Sequence, residues 1–210
     1  MIVSKGHAAA AVYAVLGELG FFPSNWLLNY GKPGSPLLGH VSHTIAGIEL
    51  STGSLGHGLP VSAGLSLAAK RSGQKWRSFV VLSDGELNEG SNWEAALFAA
   101  HHGLDNLIAI IDYNKLQGFG RTDEVLKLEP LAEKWRAFGW ATLEVDGNNV
   151  AELTHIFRNI QSFTSRPTSI IAHTVKGKGV SFMENRLEWH YMTPNQKQLR
   201  DALTELDKKV

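Results

Sequence analysis

Short apolar runs alternate with helix-like segments along most of the chain. Four runs have the length of buried strands and occupy residues 78–82, 107–111, 141–145 and 168–173. Apolar residues at helical spacing predict helices at residues 8–19, 61–70, 92–102, 131–138, 150–163 and 195–209. Alternation of this kind predicts an α/β fold, with a mostly parallel sheet that carries helices on both faces.

A stretch rich in glycine and proline interrupts this pattern between residues 23 and 60. Its composition predicts turns and loops rather than regular elements. Long loops inside compact domains usually carry function, and ligands of parallel α/β sheets bind beyond the carboxyl ends of the strands. Both the loop and the strand ends are therefore places where we expect a functional site.

Two polar residues follow successive strands of the predicted sheet. Asp84 comes after the first strand and Asn114 after the second. The right-handed crossover rule makes these strands parallel, and neighbours if no strand intervenes, so the two side chains would emerge side by side. A carboxylate, an amide oxygen and a backbone carbonyl suit Mg²⁺, which usually shares its shell with phosphate oxygens and water. The pair predicts a phosphorylated ligand, unless both residues are present only because they favour turns.

The composition narrows the possible classes of function. The 210 residues are 43% apolar, which suffices for one domain with a substantial core. Twenty basic residues balance twenty acidic ones, which argues against non-specific nucleic-acid binding and polybasic membrane contact. The absence of cysteine excludes disulfides and thiolate chemistry. No apolar run approaches the ~18–20 residues of a membrane helix and residues 1–7 are no secretory signal, so we expect a cytoplasmic protein.

Five blocks of residues stand in the order and at the spacing of one family's motifs. They are Ser4-Lys5-Gly6-His7-Ala8, Leu38-Gly39-His40, residues 51–58, Ser83-Asp84-Gly85 followed by Asn114, and residues 174–184 with Trp189-His190. Together they resemble the N-terminal, thiamine-diphosphate-binding domain of transketolases, most closely the N-terminal subunit of the split, two-gene enzymes. Ser83 stands where the family often has glycine, and its hydroxyl is expected to hydrogen-bond locally.

The resemblance implies roles for individual residues. Mg²⁺, or Ca²⁺ or Mn²⁺ in its place, would be bound by the side chains of Asp84 and Asn114 and by the carbonyl of Leu116. The catalytic residues would be His7, His40 and His190. The thiamine diphosphate site would comprise His7, Gly53, Leu55, Asp84, Gly85, Glu86, Asn114, Val175 and His190. Each assignment has a structural alternative, since His7 could merely open a helix and His190 could be an exposed interface residue.

The resemblance also implies a partner. Residues 1–210 would form a single diphosphate-binding domain that lacks the family's usual upstream segment and its pyrimidine-binding domain. A separate C-terminal subunit would supply the latter, and the pairs would assemble as a heterotetramer. Glu89 and Glu94 resemble the family's subunit-interface carboxylates. Together the subunits would transfer a two-carbon ketol unit from a ketose, free or phosphorylated, to an aldose.

Two other functions remain open from the sequence. One is a different thiamine-diphosphate activity on the same scaffold, such as a synthase or a decarboxylase. The other is a non-catalytic or regulatory remnant that binds the cofactor weakly or not at all. The Gly39-His40 loop and the Leu55-Gly56-His57-Gly58 element favour the transketolase branch over the other enzymes.

Overall fold

The structure, a computed structural model, describes residues 1–160 and 165–208. Its strands are β1 (Ile2–Val3), β2 (Ser78–Ser83), β3 (Leu107–Tyr113), β4 (Leu116–Gln117), β5 (Gly120–Arg121), β6 (Ala141–Asp146) and β7 (Thr168–His173). Its helices are α1 (Ala9–Glu18), α2 (Gly58–Arg71), α3 (Gly90–His101), α4 (Thr122–Val125), α5 (Leu131–Ala137), α6 (Val150–Asn159) and α7 (Gln196–Asp207). Short 3₁₀ turns at Gly6–Ala8, Ser24–Asn29, Gly85–Asn88 and Leu187–His190 complete the described elements.

Five strands form one parallel sheet in the order β1-β2-β3-β7-β6. The remaining two, β4 and β5, form a small antiparallel hairpin. β2 and β3 are direct neighbours, and Ser83 lies opposite Asp112 at their carboxyl ends. The predicted α/β fold with a mostly parallel sheet is confirmed, and the two polar strand ends emerge at the same edge.

Apolar side chains cover both faces of the sheet, which is why its central strands are nearly continuous apolar runs. On one face, Leu107 and Ile111 of β3 pack in a core with Trp135 of α5 and with residues of α2 and α3. On the other face, Ile108 joins Ile170 and partly buried residues of α6. Helices therefore lie on both faces, as the alternation predicted.

A second, smaller core lies beneath the loop-rich segment. Tyr13 of α1 is fully buried there with Phe22, Leu37, Val41 and Ile45. Outside the 3₁₀ turn at Ser24–Asn29, residues 23–57 form turns and irregular backbone, as predicted. The loop is thus anchored by its own apolar residues rather than left free at the surface.

Most predicted element bounds lie within a few residues of the observed ones. α2 begins at Gly58, three residues before the expected start at Val61. The expected end of α6 at Phe163 and that of α7 at Lys209 lie outside the described residues. The sequence analysis missed β1, the β4–β5 hairpin and α4, all four residues or shorter. Among the described residues, no helix is long and apolar enough to cross a membrane.

Candidate active site

Asp84 lies at the carboxyl end of β2, where the strand turns into the 3₁₀ segment Gly85–Asn88. Asp84 is only 2% exposed, so its side chain is buried although it lies at a strand end. Oδ1 accepts a hydrogen bond from Gly85 N at 2.7 Å, and Oδ2 accepts one from Lys115 N at 2.6 Å. Burial is the main cause that raises the pKa of Asp84 to about 6, against these two hydrogen bonds, which lower it.

Asn114 begins the loop that follows β3. Its Oδ1 accepts a hydrogen bond from Leu116 N at 2.9 Å, which closes an Asx turn. Lys115 between them has a φ of +65°, a left-handed conformation that points its N–H back to Asp84. The loop thereby fixes the predicted metal residues Asp84, Asn114 and Leu116 next to one another.

The donor set at this strand edge fits a divalent cation. Asp84 is a buried carboxylate, and within residues 1–160 and 165–208 no lysine, arginine or histidine forms an ion pair with it. Buried charges in proteins are normally paired or coordinate metals. Among the described residues there is also no group of three or more His, Cys, Asp or Glu that could hold a metal. A cation here would need the amide and carbonyl oxygens and its own water, which suits Mg²⁺.

The buried carboxylate of Glu86 joins three of the motif segments. Its Oε1 accepts hydrogen bonds from the Ser4 hydroxyl and from Gly56 N at 2.9 Å, while Oε2 accepts one from Ser83 N at 3.3 Å. Glu86 N donates in turn to Ser83 Oγ at 3.2 Å, which is the local hydrogen bond expected of Ser83. Burial raises the pKa of the Glu86 carboxyl although all these donors lower it. Glu86 therefore holds the site together, and its role toward a cofactor stays a prediction.

Three histidines that are far apart in sequence meet above this network. The ring centroids of His7 and His40 are 5.0 Å apart, and those of His7 and His190 are 5.3 Å apart. His190 Nε2 lies 3.3 Å from His7 Nδ1, within hydrogen-bond distance. The backbone carbonyl of His40 accepts a hydrogen bond from the buried Tyr13 hydroxyl at 2.8 Å, which fixes the loop. The structure thus brings together all three predicted catalytic residues.

Two of these imidazoles are held in the neutral form near neutral pH. Burial, the neighbouring His40 and Lys5 lower the pKa of His7. Burial, Lys176, His7 and Lys5 lower the pKa of His190. A neutral imidazole has one donor and one acceptor nitrogen, so it can hold a hydroxyl or take up a proton.

We predict that His7 and His190 titrate below 6.5 in an NMR titration of the histidine ring protons. The variant His40→Gln should raise the pKa of His7, because it removes a neighbour whose charge opposes protonation. Since the unfolded chain binds these protons more readily, the folded state should lose stability as the pH falls from 6.5 through the lowered pKa values. Titration of His7 at or above 6.5 would contradict this assignment.

Glycines allow the segments around the histidines to approach closely. A Cβ on Gly53 would lie 2.9 Å from His40 Cδ2, and the φ of Gly53 is +157°. A Cβ on Gly6 would lie 2.9 Å from the backbone of Gly53. The predicted cofactor residue Gly53 is therefore packed between Gly6 and the His40 ring.

The other predicted cofactor residues lie at the margins of this cluster. Leu55 is half-buried and precedes Gly56, the donor to Glu86. Val175 is half-buried, and its N–H donates to Asn148 Oδ1 at 2.8 Å. The structure places both on segments that belong to the site, and contacts with a cofactor stay a prediction.

Two lysines lie at this edge of the sheet beside the carboxylates of Asp84 and Asp112, which the sequence analysis did not foresee. Lys5 forms an ion pair with Asp112, which also accepts a hydrogen bond from the Thr174 hydroxyl. Lys176 is half-buried, and its pKa is lowered first by burial and then by the charge of Lys5. Lys5 and Lys176 belong to the motif blocks 4–8 and 174–184. Their place beside the site could therefore have been predicted from the sequence.

The carboxylates predicted at a subunit interface are exposed. Glu89 lies at the N-cap of α3. Glu94 and His57 line a surface groove of about 460 Å³ between α2 and α3, together with Phe98. No contact of the described residues tests their role, which stays a prediction.

The comparisons with known proteins agree with this geometry. The family model "Transketolase, thiamine diphosphate binding domain" matches residues 1–206. The chain belongs to this family. The predicted transketolase resemblance and the predicted class of enzyme, a transketolase-type transferase subunit, are confirmed.

Curated transketolase relatives match over nearly the whole chain. An apulose-4-phosphate transketolase subunit of Actinobacillus succinogenes is 49% identical over 206 residues, which are 98% of this chain and 74% of that protein. A 6-deoxy-6-sulfo-D-fructose transketolase subunit of Clostridium sp. is 40% identical over 209 residues, 99% of this chain and 76% of that protein. The chain therefore spans about three quarters of the length of these separate transketolase subunits.

Solved transketolase structures share the fold. A Pichia stipitis transketolase in complex with sedoheptulose-7-phosphate superposes with a TM-score of 0.91 at 26% identity, over 98% of this chain and 32% of that one. The transketolase of Campylobacter jejuni superposes with a TM-score of 0.82 at 24% identity, over 99% of this chain and 38% of that one. The chain thus spans about a third of these longer transketolases.

Proposed function

We propose that this chain, together with a separate C-terminal subunit, transfers a two-carbon ketol unit from a ketose to an aldose with thiamine diphosphate and Mg²⁺. The convergence of His7, His40 and His190 carries the proposal. Lys5 links this cluster to the cation edge, because it acts electrostatically on His7, His190 and Asp84. The match to the thiamine diphosphate binding domain of transketolases supports it. The bound cofactor would supply the carbon–carbon bond chemistry, and the chain's own residues would bind, orient and protonate.

Asp84, Asn114 and the Leu116 carbonyl would hold the cation, which would in turn hold the diphosphate. Lys5 and Lys176 would add positive charge beside the phosphates, since both interact electrostatically with the proposed cation ligand Asp84. Gly53, Leu55, Gly85, Glu86 and Val175 would line the rest of the cofactor half-site.

The histidine cluster would act on the substrate. His7 and His190 are neutral at neutral pH, so each can hold a substrate oxygen and exchange a proton at Nδ1 or Nε2. His40 stands beside them on the loop anchored by Tyr13. The cluster is exposed on one side, where a partner would close it and exclude water.

We further propose that residues 1–210 act as a single cofactor-binding domain and that a partner supplies the pyrimidine-binding half. The separate subunits among the relatives support this division. Assembly as a heterotetramer in the cytoplasm, with Glu89 and Glu94 at a subunit interface, completes the proposal. The names of the same relatives lead us to propose a ketose with a terminal phosphate or sulfonate as the donor substrate.

The purified chain should show ketol transfer only when the C-terminal subunit is added. Half of a cofactor site cannot preorganise the whole cofactor, so we expect turnover by the isolated chain to lie at background. The assay offers apulose-4-phosphate, xylulose-5-phosphate and 6-deoxy-6-sulfofructose as donors, with an aldose phosphate as acceptor. Pyruvate is the control donor. Turnover of pyruvate instead would indicate another thiamine-diphosphate enzyme, and full turnover without the partner would refute the split site.

A further inference from the structure

A pair of side-chain amides lies against the cation edge and has no assigned role. Asn88 Nδ2 donates a hydrogen bond to Gln117 Oε1 at 3.1 Å. The hydrogen bond joins the 3₁₀ turn after β2 to the β4–β5 hairpin after β3. Gln117 is 8% exposed, which is unusual for an amide side chain outside the sheet core.

Each amide keeps one buried polar atom without a partner. These atoms are Asn88 Oδ1, an acceptor, and Gln117 Nε2, a donor. Rotating both amides by 180° exchanges the roles of the two residues but again leaves one donor and one acceptor. In either orientation the unpartnered atoms of the pair are one donor and one acceptor. Water can satisfy both kinds of atom, whereas a phosphate oxygen can satisfy only the donor and a cation only the acceptor.

The pair lies next to residues that are proposed to bind the cation. Gln117 directly follows Leu116, and Gly85 directly follows Asp84. The amide carbon Cδ of Gln117 lies 3.4 Å from the position that a Cβ on Gly85 would take. The Gly85 N–H is itself hydrogen-bonded to Asp84 Oδ1. The amide thus packs directly on the turn that presents Asp84.

We propose that Asn88 and Gln117 are positioning residues that hold a water of the hydrated divalent cation. This inference rests on the proposed function, because it needs a cation at Asp84 and Asn114. Mg²⁺ gives up its waters reluctantly and rarely receives a full set of protein ligands, so its site must accommodate water. Groups that hydrogen-bond to the ligands of a metal tune its affinity by about 10- to 100-fold.

Unpartnered buried polar atoms also occur away from this edge, so the proposed role of the pair needs a matched control. Asn106 is a half-buried amide that also has a buried, unpartnered Oδ1, and it donates to the carbonyls of Ser66 and Trp76 at the opposite, amino end of β3. It offers a matched control, since it lies far from the cation edge. Replacing both amides by apolar groups separates the two roles. If the pair is purely structural, the Mg²⁺ affinity should recover together with the stability, whereas if the pair holds a water, only the stability should recover.

The test compares Gln117→Met, Asn88→Leu and the double variant with the wild-type chain. Two quantities are measured: the melting temperature without ligand, and the apparent Mg²⁺ affinity by calorimetric titration at fixed thiamine diphosphate and at fixed inorganic pyrophosphate. Each single variant leaves its partner amide buried and unpaired and should lower the melting temperature by about 3 °C, whereas the double variant removes both polar groups and should recover it.

The Mg²⁺ affinity should behave differently from the stability. We expect it to fall about 10- to 100-fold in both single variants and to stay low in the double variant. Asn106→Leu should lower the melting temperature but leave the Mg²⁺ affinity unchanged. Two outcomes would overturn this inference and leave the proposed function untouched. One is that the double variant recovers Mg²⁺ affinity together with stability, and the other is that the Mg²⁺ affinity is unchanged in all three variants. A wild-type chain that shows no Mg²⁺-dependent cofactor binding even with the C-terminal subunit added would instead contradict the proposed function, and the inference with it.

Discussion

Replacing Gly58 by alanine should destabilise the protein by about 4 kcal/mol and lower its melting temperature by roughly 10 °C. Gly58 is the first residue of α2, and its N–H donates to Ser4 Oγ at 3.1 Å. A Cβ there would lie 2.3 Å from both Cβ and Oγ of Ser4. Ser4 cannot retreat, because it is fully buried and its N–H is bonded to the Val81 carbonyl at 2.9 Å.

The damage should extend beyond the direct clash. The Ser4 hydroxyl donates to Glu86 Oε1, so moving Ser4 takes a donor from a fully buried carboxylate. Leaving a buried charged acceptor unsatisfied costs about 1–3 kcal/mol or more, in addition to the strain of overpacking. Adding this one methyl group would then remove a large share of a typical net stability of about 5–15 kcal/mol.

Gly64→Ala in the same helix is the matched control. A Cβ on Gly64 would meet nothing within 4 Å, and the residue is exposed. Alanine should therefore stabilise α2 by about 0.5–1 kcal/mol through its lower unfolded-state entropy. Thermal denaturation of both variants without ligand decides the matter. If Gly58→Ala melts like Gly64→Ala, then Ser4 and Glu86 do not hold α2 in place as described.

The sheet was predictable from the sequence because its central strands are largely buried. β2, β3 and β7 are mainly apolar runs, whereas the edge strand β6 is half-exposed, and helices between the strands dictate parallel neighbours. β1 was not predictable in the same way. Its two residues carry too little pattern, and only the pairing of Ile2 with Val80 makes them a strand.

The polar interior of the site was only partly predictable. Residue types and motif spacing indicated that Asp84, Asn114 and the three histidines belong together. The structure brings the histidines together and sets the loop after Asn114 beside Asp84, while the roles of these residues stay predictions. Spacing could not reveal that Asp84 is buried, because its burial comes from the 3₁₀ turn and the β4–β5 hairpin folding over the strand end. Motif spacing also could not reveal that Glu86 connects three segments through hydrogen bonds. Glutamate is almost never fully buried unless it is paired, so its burial was not expected.

Asp84→Asn is expected to abolish Mg²⁺-dependent cofactor binding, with an affinity loss of more than about 100-fold. Asp84 supplies the only formal negative charge among the proposed ligands, and Mg²⁺ is bound chiefly through carboxylates. Its burial makes that charge unfavourable in the protein alone, which is why the pKa of Asp84 is raised to about 6. A cation offsets this cost, so the buried carboxylate should contribute to affinity more strongly than an exposed one.

The variant should keep the fold, which separates a ligand role from a structural one. Asparagine has the shape of aspartate and removes the buried charge, a gain for the protein without cation. Against that gain, its amide group would face one of the two backbone N–H donors, Gly85 N or Lys115 N, and lose that hydrogen bond. The two effects oppose each other, so the melting temperature without ligand should change by only about 3 °C. Calorimetric titration of thiamine diphosphate with Mg²⁺, repeated with EDTA, measures the binding. Wild-type affinity in the variant would remove Asp84 from the cation site, whereas a collapse of stability before any ligand is added would make its role structural.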